Sequence, residues 1–336
     1  MSLRCWKILR RSAAVLCVSA GLFAVVPSAA AVTVPDLYEI SLPVGSNRDA
    51  AFGDALKAVV VRVSGRRDAA VRLGPALNNP RQYAQRFGVS SDNMLEVGFD
   101  SVSVDKLLTE AGLPVWGRER PQTLVLLNIQ APDGSSNWID NNANAGDREA
   151  VVRAAKQRGL PIVWADMDSQ DRNQVAAGTQ AALLQVAARY SANAALLGMA
   201  HRDGTGGFSV RWTLAAEDGQ SESNGSIEDG VHLAADTFSR IYSASGSSLD
   251  SVALEISGIG NLGSYASTLN YLEAMTVVRT VALEQVSGDT MRFRLAVRGD
   301  AAMLRRALAL DGKLIPVTPA DGSAPPADRL QFRYQP

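Results

Sequence analysis

The feature that most constrains the fold is an alternation of short apolar strands with amphipathic helices in the middle of the chain, over residues 121–245. The strands are predicted at residues 123–129, 160–164 and 194–199, and the helices at residues 148–158 and 180–190. Strands that are apolar on both faces belong inside a parallel or mixed sheet that helices cover on both sides. We therefore predict a mixed-sheet α/β domain in this part of the chain.

Two smaller modules flank this domain. Residues 32–120 carry strand and helix patterns, including a helix that Asn47 caps and a β-branched run at residues 59–63. Residues 249–317 show the order strand, helix, strand, strand, helix, strand (βαββαβ), which is the order of a ferredoxin-like domain. Residues 318–336 begin with a proline-rich stretch and predict a loose tail, with a terminal edge strand as the alternative. The predicted fold class is therefore α+β and modular.

The first 31 residues have the three parts of a secretory signal peptide. A basic head ends at Arg11, an apolar run covers residues 13–26, and Ala29 and Ala31 occupy the −3 and −1 positions for cleavage. The apolar run is shorter than the ~20 residues that a membrane-spanning helix needs, and no later stretch of the sequence is long enough. We therefore predict a periplasmic protein without a stable membrane span after cleavage, an uncleaved anchor being the alternative.

The mature chain that this cleavage leaves has no cysteine, because Cys5 and Cys17 both lie in the leader. It can therefore form no disulfide and use no thiolate. Removal of the four basic residues of the leader also takes the formal charge from −1 to −5. Mild acidity without a basic stripe argues against nucleic acid and against anionic lipid as partners.

Three carboxylates follow the second predicted strand of the middle domain, at Asp166, Asp168 and Asp171. Their oxygens could serve as ligands for a cation such as Ca²⁺. An EF-hand loop, however, needs glycine at its sixth position and glutamate at its twelfth, where this sequence has Asp171 and Ala177. We expect a solvated loop here and keep the three aspartates as the candidates for a metal site.

Two other motifs match catalytic patterns but lack the structural context that those patterns need. Residues 258–263 read Gly-Ile-Gly-Asn-Leu-Gly, as in a dinucleotide-binding fingerprint, but Glu284 precedes a tight turn instead of the crossover helix of a Rossmann unit. Ser103 and Lys106 have the serine–lysine spacing of penicillin-recognising enzymes, but Ser103 is better explained as a helix cap. We predict no catalytic residue and no cofactor.

Trp138 lies in a stretch of polar residues that we predict to be a loop. An exposed tryptophan in such a loop would anchor a partner protein, and we predict Trp138 as a partner contact. The alternative is that its ring folds back onto the sheet. The two histidines, His201 and His232, have no metal-ligand partner at useful spacing.

Three groups of residues carry a family resemblance. They are Leu37-Tyr38-Glu39-Ile40 with Val61-Arg62-Val63-Ser64-Gly65, Val97-Gly98-Phe99-Asp100 with Leu113-Pro114-Val115-Trp116-Gly117-Arg118 and Arg120-Pro121, and Gly159-Leu160-Pro161 with Asp166 and Asp168. Through them the chain resembles an uncharacterised family of exported gammaproteobacterial proteins, a domain of unknown function, which implies no known activity. Through residues 192–198 the middle domain is similar to the amino-terminal α/β domain of the Tol-system periplasmic propeller protein. This second resemblance implies binding to other envelope proteins.

These observations favour a non-enzymatic protein that binds or assembles other envelope proteins, with exposed sheet edges and loops as its contact surfaces. Two alternatives stay open, namely an envelope hydrolase that uses carboxylates distant in sequence and a protein that binds a small ligand. Two facing acids with shifted pKa values in a cleft would favour the hydrolase, and a deep apolar pocket would favour the ligand carrier. An exposed apolar patch would favour docking.

Overall fold

The computed structural model describes residues 32–45, 47–140, 145–202, 208–246, 248–310, 312–317 and 329–335. The predicted signal peptide, with its cleavage residues Ala29 and Ala31, lies outside the described residues, as does the stretch at residues 318–328. Within the part that is described, the protein is a mixed α/β structure with nine helices and several sheets. None of those helices is both long and apolar enough to cross a membrane.

The N-terminal part packs its helices against one face of a small antiparallel sheet. Its elements are β1 (Val32–Thr33), β2 (Glu39–Pro43), α1 (Arg48–Ser64), α2 (Ala69–Leu73), β3 (Ala84–Val89), β4 (Met94–Phe99), α3 (Ser101–Glu110), β5 (Val115–Trp116) and β6 (Glu119–Arg120), with two short 3₁₀ helices at Gly74–Leu77 and Pro80–Tyr83. The strand order is β2-β4-β3. Every second residue of β4 from Leu95 onward shares a buried core with α1, as the period-two alternation of a strand requires.

Helix α1 begins as the sequence predicts and continues further than its composition suggests. The side chain of Asn47 accepts from two backbone N–H groups of the first turn, which caps the helix. The helix then runs through residues 59–63, and three valines of this β-branched run are buried. The burial of these side chains outweighs their small preference for a strand. Gly65 ends the helix in the left-handed region, with φ +66°.

The part of the chain predicted as the middle domain, for which we keep that name, contains a six-stranded mixed sheet with two helices on each face. Its elements are β7 (Thr123–Gln130), β8 (Ser136–Ile139), α4 (Ala145–Arg158), β9 (Ile162–Trp164), α5 (Ser169–Ala176), α6 (Gln180–Arg189), β10 (Ala194–Arg202), β11 (Phe208–Ala216), β12 (Gly219–Gly225), α7 (Asp229–Tyr242) and β13 (Ser243–Ala244), the last of which lies outside this sheet. The strand order is β12-β11-β10-β7-β8, with β9 beside the first half of β7. Strands β9 and β10 are parallel to β7, and the other pairs are antiparallel. Helices α4 and α7 pack on one face of the sheet, and α5 and α6 pack on the other.

The C-terminal part is a five-stranded sheet that shares a core with two helices. Its elements are β14 (Leu249–Ser257), α8 (Leu262–Ala274), β15 (Val278–Ser287), β16 (Thr290–Arg298), α9 (Ala301–Ala309), β17 (Leu314–Pro316) and β18 (Arg329–Tyr334). The order of elements along the chain is the predicted one as far as β17. The order in the sheet, β15-β16-β14-β18-β17, departs from the ferredoxin-like order because β18 lies between β14 and β17. The ferredoxin-like assignment is therefore not confirmed.

The last strand also differs from the tail predicted for residues 318–336. β18 is parallel to β14 on one side and antiparallel to β17 on the other, so it is neither loose nor at an edge. Leu330 and Phe332 are buried in the core of this sheet. Their alternation with polar residues indicates a strand, but it does not show which strands the segment will join.

Contacts cross the predicted domain boundaries. β5 of the N-terminal part pairs with β13 at the end of the middle domain. Trp116 belongs to the core of the middle domain, although it precedes the predicted boundary at residue 120. The predicted modular organisation is therefore not confirmed, because strand pairing and side-chain packing connect the N-terminal part to the middle domain.

Candidate functional site

The acidic segment that we kept as a candidate metal site forms ion pairs within the protein. Asp168 caps α5, where its Oδ1 accepts from the backbone N–H of Asp171 at 2.8 Å. Arg189 of α6 donates to both Asp168 and Asp171, and the hydroxyl of Tyr190 donates to Asp171 at 2.8 Å. The same hydroxyl oxygen lies 3.0 Å from the backbone carbonyl oxygen of Asp166. Asp166 and Asp168 lie in an exposed loop, as expected, whereas Asp171 is buried in α5 and paired with an arginine.

Arg189 and Tyr190 therefore occupy carboxylate oxygens that a cation would need. Burial, followed by the hydrogen bond to Asp171 and the charge of Asp171, raises the pKa of Tyr190 to about 12, so the hydroxyl stays a donor. Within the described residues, no three histidine, cysteine, aspartate or glutamate side chains are placed to hold a metal ion together.

Trp138 lies on β8, opposite Asn128 of β7. The polar stretch predicted as a loop thus contains a strand, because β8 satisfies its backbone groups by pairing with the sheet. The ring of Trp138 is half-buried and packs on the core beneath α5 and α6. The role of Trp138 as a partner contact stays a prediction.

The two motifs that resemble catalytic patterns form turns and caps. Residues 258–263 connect β14 to α8, and the side chain of Asn261 accepts from the first turn of that helix. Glu284 lies on β15, and the chain turns directly into β16, as the tight turn in the sequence predicts. Ser103 lies inside α3 and is not its cap, because Asp100 accepts from the backbone N–H of Ser103 at 2.8 Å.

An exposed apolar surface follows the edge of the C-terminal sheet. β15 is the edge strand, and only Val278 of its ten residues is buried. Leu283 and Val286 on this strand are 42% and 55% exposed, and Leu262 in the first turn of α8 is 79% exposed. We use the name apolar ledge for the surface that is formed by Leu262, Tyr265, Leu283, Val286 and Met291.

The apolar ledge exists because α8 covers only part of its side of the sheet. Leu283 is opposite Phe293, and Phe293 is fully buried with its ring stacked on that of Tyr265 in α8. Leu283 and Val286 therefore point toward the helical side of the sheet but lie beyond the helix. A shallow cleft of about 370 Å³ separates β15 from the first turn of α8.

The outer side of β15 has a free backbone edge. Among the described residues, β15 pairs only with β16, and the pairing is irregular before Thr280 and after Leu283. A regular stretch of four residues, 280–283, thus presents N–H and C=O groups to a neighbour. The opposite face of the sheet is polar, with Arg294 paired to Glu284 at 2.9 Å, so the apolar character is confined to one face.

Arg120 is fully buried where the N-terminal part meets the middle domain. Its guanidinium lies 3.8 Å from the centre of the Trp116 ring and donates to five backbone carbonyls at 2.8–3.0 Å. The acceptors are the carbonyls of Arg62, Trp116, Gly117, Arg158 and Gly159. Three of these carbonyls lie at the C-terminal ends of α1 and α4, where the helices leave carbonyls without internal partners. The positive charge of Arg120 lies near the C-terminal ends of both helices, where it also interacts favourably with the two helix dipoles.

Arg158 lies beneath a polar cleft between the end of α1 and one face of α7. Its Nη2 donates to the carbonyl of Gly65 at 2.8 Å and to the carboxylate of Asp236 at 2.5 Å. Its Nη1 lies 3.2 Å from Nδ1 of His232. The cleft has a volume of about 600 Å³. Its walls are residues 65–68 on one side and Ser223, Asp229, His232, Leu233, Asp236, Ser239 and Arg240 on the other.

The protonation of His232 follows from its contact with Arg158. An arginine side chain has donors but no acceptor, so Nδ1 of the histidine accepts and the neutral ring carries its proton on Nε2. Burial, followed by the charges of Arg158 and Arg67, lowers the pKa of His232 and favours this neutral ring. In a catalytic triad the arrangement is reversed, because a carboxylate binds Nδ1–H and leaves Nε2 free to take a proton. His232 is therefore placed as a hydrogen-bond donor and not as a general base.

The acids with raised pKa values do not line this cleft. Burial raises the pKa of Asp105, whose carboxylate accepts from the hydroxyl of Tyr38 at 2.6 Å and lies 3.7 Å from Arg298 of the C-terminal sheet. Burial also raises the pKa of Glu119. Both residues lie at joints between parts of the protein. In the cleft, hydrogen bonds from Arg66 and from the backbone N–H of Ser226 instead lower the pKa values of Asp68 and Asp229, so neither is tuned as a general acid.

Sequence reasoning missed Arg120, Arg158 and Asp236 as interface residues. The available signals were Gly65 and Gly159, each of which marks the end of a helix and therefore a group of free carbonyls. Nothing in the sequence indicates that these two helix ends meet.

Comparison with known proteins gives one match. Residues 31–117 match the family model of a domain of unknown function (DUF8605), which covers the N-terminal part as far as the end of β5. No curated protein and no solved structure matches the chain. The match agrees with the expected resemblance to a domain of unknown function. The gammaproteobacterial origin and the similarity to the Tol-system domain stay predictions.

Proposed function

We propose that this protein is a non-enzymatic binding or assembly module of the bacterial periplasm that docks another envelope protein on the apolar ledge. The observation that carries the proposal is the exposure of Leu262, Leu283 and Val286 beside a free strand edge. A contiguous exposed apolar patch is typical of an interaction surface. Free strand edges are likewise places where one protein adds a strand to the sheet of another.

The proposed occupant is a short extended segment of the partner with alternating apolar residues. A strand is the structure that satisfies the free backbone groups of residues 280–283, and every second side chain of that strand would lie on the apolar ledge. The irregular pairing on either side of this stretch limits regular strand addition to four residues. This limit favours a short segment over a second copy of β15 paired along its whole length. The predicted signal peptide and the predicted similarity to the Tol-system domain favour an envelope protein as the partner.

We also propose how the chain is divided into modules. We infer three modules, of which the last is a ferredoxin-like sheet that has accepted β18 as an additional strand. The order β15-β16-β14 supports this inference, because it is the order of the second, third and first strands of a ferredoxin-like sheet.

Photo-crosslinking from the apolar ledge tests the docking. A benzoylphenylalanine at Val286 of the full chain, expressed with its signal peptide, should give one discrete adduct whose second component is an envelope protein by mass spectrometry. The same group at Val71, which is exposed on α2, is the matched control and should give no such adduct. The substitution Leu283→Lys should abolish the adduct at Val286 without changing the melting temperature, because Leu283 is partly exposed.

Two outcomes would contradict the docking. They are identical adducts from Val286 and Val71, and an adduct at Val286 that survives Leu283→Lys. N-terminal sequencing of the protein from a periplasmic fraction should show cleavage after Ala31, and an unprocessed cytosolic chain would contradict the location.

A further inference from the structure

The polar cleft between α1 and α7 has an excess of positive charge. Five arginines line it or bond to its lining residues, whereas three carboxylates do so. The arginines are Arg66, Arg67, Arg72, Arg158 and Arg240, and the carboxylates are Asp68, Asp229 and Asp236. With His232 neutral, the residues that line the cleft carry three positive and three negative charges, and Arg72 and Arg158 behind them bring the local net charge to about +2, in a chain whose formal charge is −1. The cleft therefore attracts anions although the whole protein does not.

The carboxylates of the cleft already have donors. Asp68 pairs with two arginines at 2.9 Å each, and Asp236 pairs with two others. Asp229 accepts from the backbone N–H and the hydroxyl of Ser226 at 2.7 and 2.9 Å. Their acceptor capacity is therefore largely used within the protein, and the groups left for a ligand are donors.

Three such donors face the cleft. Arg240 bonds to the carbonyl of Asp236 and to the hydroxyl of Thr237, and within the described residues it has no carboxylate partner. Arg67 makes one contact, of 3.4 Å, with Asp236, and most of its side chain is exposed. His232 offers Nε2–H, for which no acceptor is found in the described part of the chain. These groups come from both walls, because Arg67 follows α1 and the other two lie on α7.

We propose that this cleft binds a small ligand through an oxyanion group, a carboxylate or a phosphate, that accepts from Arg67, Arg240 and Nε2–H of His232. Planar guanidinium groups bind both kinds of oxyanion through paired, charge-assisted hydrogen bonds. A ligand in this position bridges the N-terminal part and the middle domain. The site is separate from the apolar ledge, so the two proposals can fail independently.

Calorimetric titration of the mature protein with inorganic phosphate, and separately with citrate, tests the site and distinguishes the two oxyanions. At constant ionic strength, one of them should bind saturably with one site per chain and raise the melting temperature with concentration. Arg240→Gln should weaken binding by about tenfold or more, because one charge-assisted hydrogen bond is lost. Arg153→Gln, at an exposed arginine on α4, is the matched control and should bind as the unchanged protein does.

Substitutions of His232 separate hydrogen bonding from charge. His232→Gln keeps an N–H donor and should retain most of the affinity, whereas His232→Leu should lose about tenfold. Circular dichroism of each variant checks that it is folded. Titrations that do not saturate with either anion would overturn the proposal, and so would equal affinities for the unchanged protein and Arg240→Gln.

Discussion

The guanidinium of Arg120 donates to the backbone carbonyl of Arg158 at 2.9 Å, so one buried arginine binds the last turn of the helix that carries the other. Arg158 in turn donates to the carbonyl of Gly65 and to Asp236. The end of α1, the end of α4 and one face of α7 are therefore joined by two arginines in series. Most of their acceptors are backbone carbonyls, which exist at any helix end and need no particular side chain.

Replacing Arg120 with methionine should strongly destabilise the protein, because five buried carbonyls lose their donor. We expect a loss of about 3–5 kcal/mol in the free energy of unfolding, measured by urea denaturation. Arg120→Lys should recover only part of it, because an ammonium has three donors and a guanidinium has five. Arg153→Met, at an exposed position, should change the stability by less than about 0.5 kcal/mol. Equal losses at the two positions would contradict the role of Arg120.

Gly65 and Gly112 test the packing of α1 against α7. Both follow a helix in the left-handed region, with φ +66° and +68°, but a Cβ at Gly65 would lie 2.2 Å from Cβ of Ser239, whereas at Gly112 no described atom lies within 4 Å. Gly112→Ala should cost about 1 kcal/mol of stability through backbone strain alone. Gly65→Ala should cost about 1–3 kcal/mol more because it also overpacks the interface. Thermal denaturation compares the two, and similar losses would mean that the contact with α7 contributes little.

His232 should make the protein less stable in mild acid. Its pKa is lowered in the folded protein, whereas in the unfolded chain it stays near 6.5. Below about pH 6.5 the unfolded chain therefore binds the proton first, and the stability present above that pH is lost as the pH falls toward the lowered pKa. Urea denaturation at several pH values should show this loss in the unchanged protein and a smaller one in His232→Gln. The same slope in both proteins would exclude His232 as the cause.

Features that depend on neighbouring residues could be predicted from the sequence. Asn47 caps α1 and Gly159 follows the end of α4 as expected, because a cap is decided by the first or last turn of its own helix. The run at residues 59–63 became helical because its valines are buried in a core with β4, which lies some thirty residues further along the chain. The intrinsic helix and strand propensities of these residues carry no information about the contact with β4.

The interface residues could not be predicted, because their partners are distant in sequence. Arg120 binds the carbonyls of Arg62 and Arg158, which are 58 and 38 residues away. The misplaced cap at Ser103 has a local cause: two helix-capping residues, Asp100 and Ser103, lie three positions apart, and the structure uses the first. For the apolar ledge, the sequence predicted only that exposed sheet edges would serve as contact surfaces. Which residues of β15 stay exposed depends on how much of the sheet α8 covers, and the sequence does not show this.

Calcium should leave the melting temperature unchanged at millimolar concentration, because Arg189 already pairs with both Asp168 and Asp171 and occupies oxygens that the cation would need. Asp171→Asn should lower the melting temperature by several degrees, because it leaves a charge of Arg189 without its buried partner. Differential scanning calorimetry measures both effects. A calcium-dependent rise that Asp171→Asn removes would instead restore the metal site.

Phe332→Asp on β18 should prevent stable folding of the C-terminal sheet, because the side chain is 2% exposed and lies between β14 and β17. Arg333→Asp on the same strand is the control, because Arg333 is exposed and should be replaced with little change. Hydrogen exchange of the amides of β14 reports the loss directly. If Phe332→Asp left that exchange unchanged, residues 329–334 would be the loose tail that the sequence first indicated.

The position of β18 has a consequence for the time course of biosynthesis. Leu254 of β14 is paired with Leu330, 76 residues later, so one side of β14 stays open while the chain between them is translated. At 5–20 residues per second this interval lasts roughly 4–15 s. During this interval β14 lacks one of its two neighbouring strands, so the sheet can be completed only after residue 334 has been synthesised.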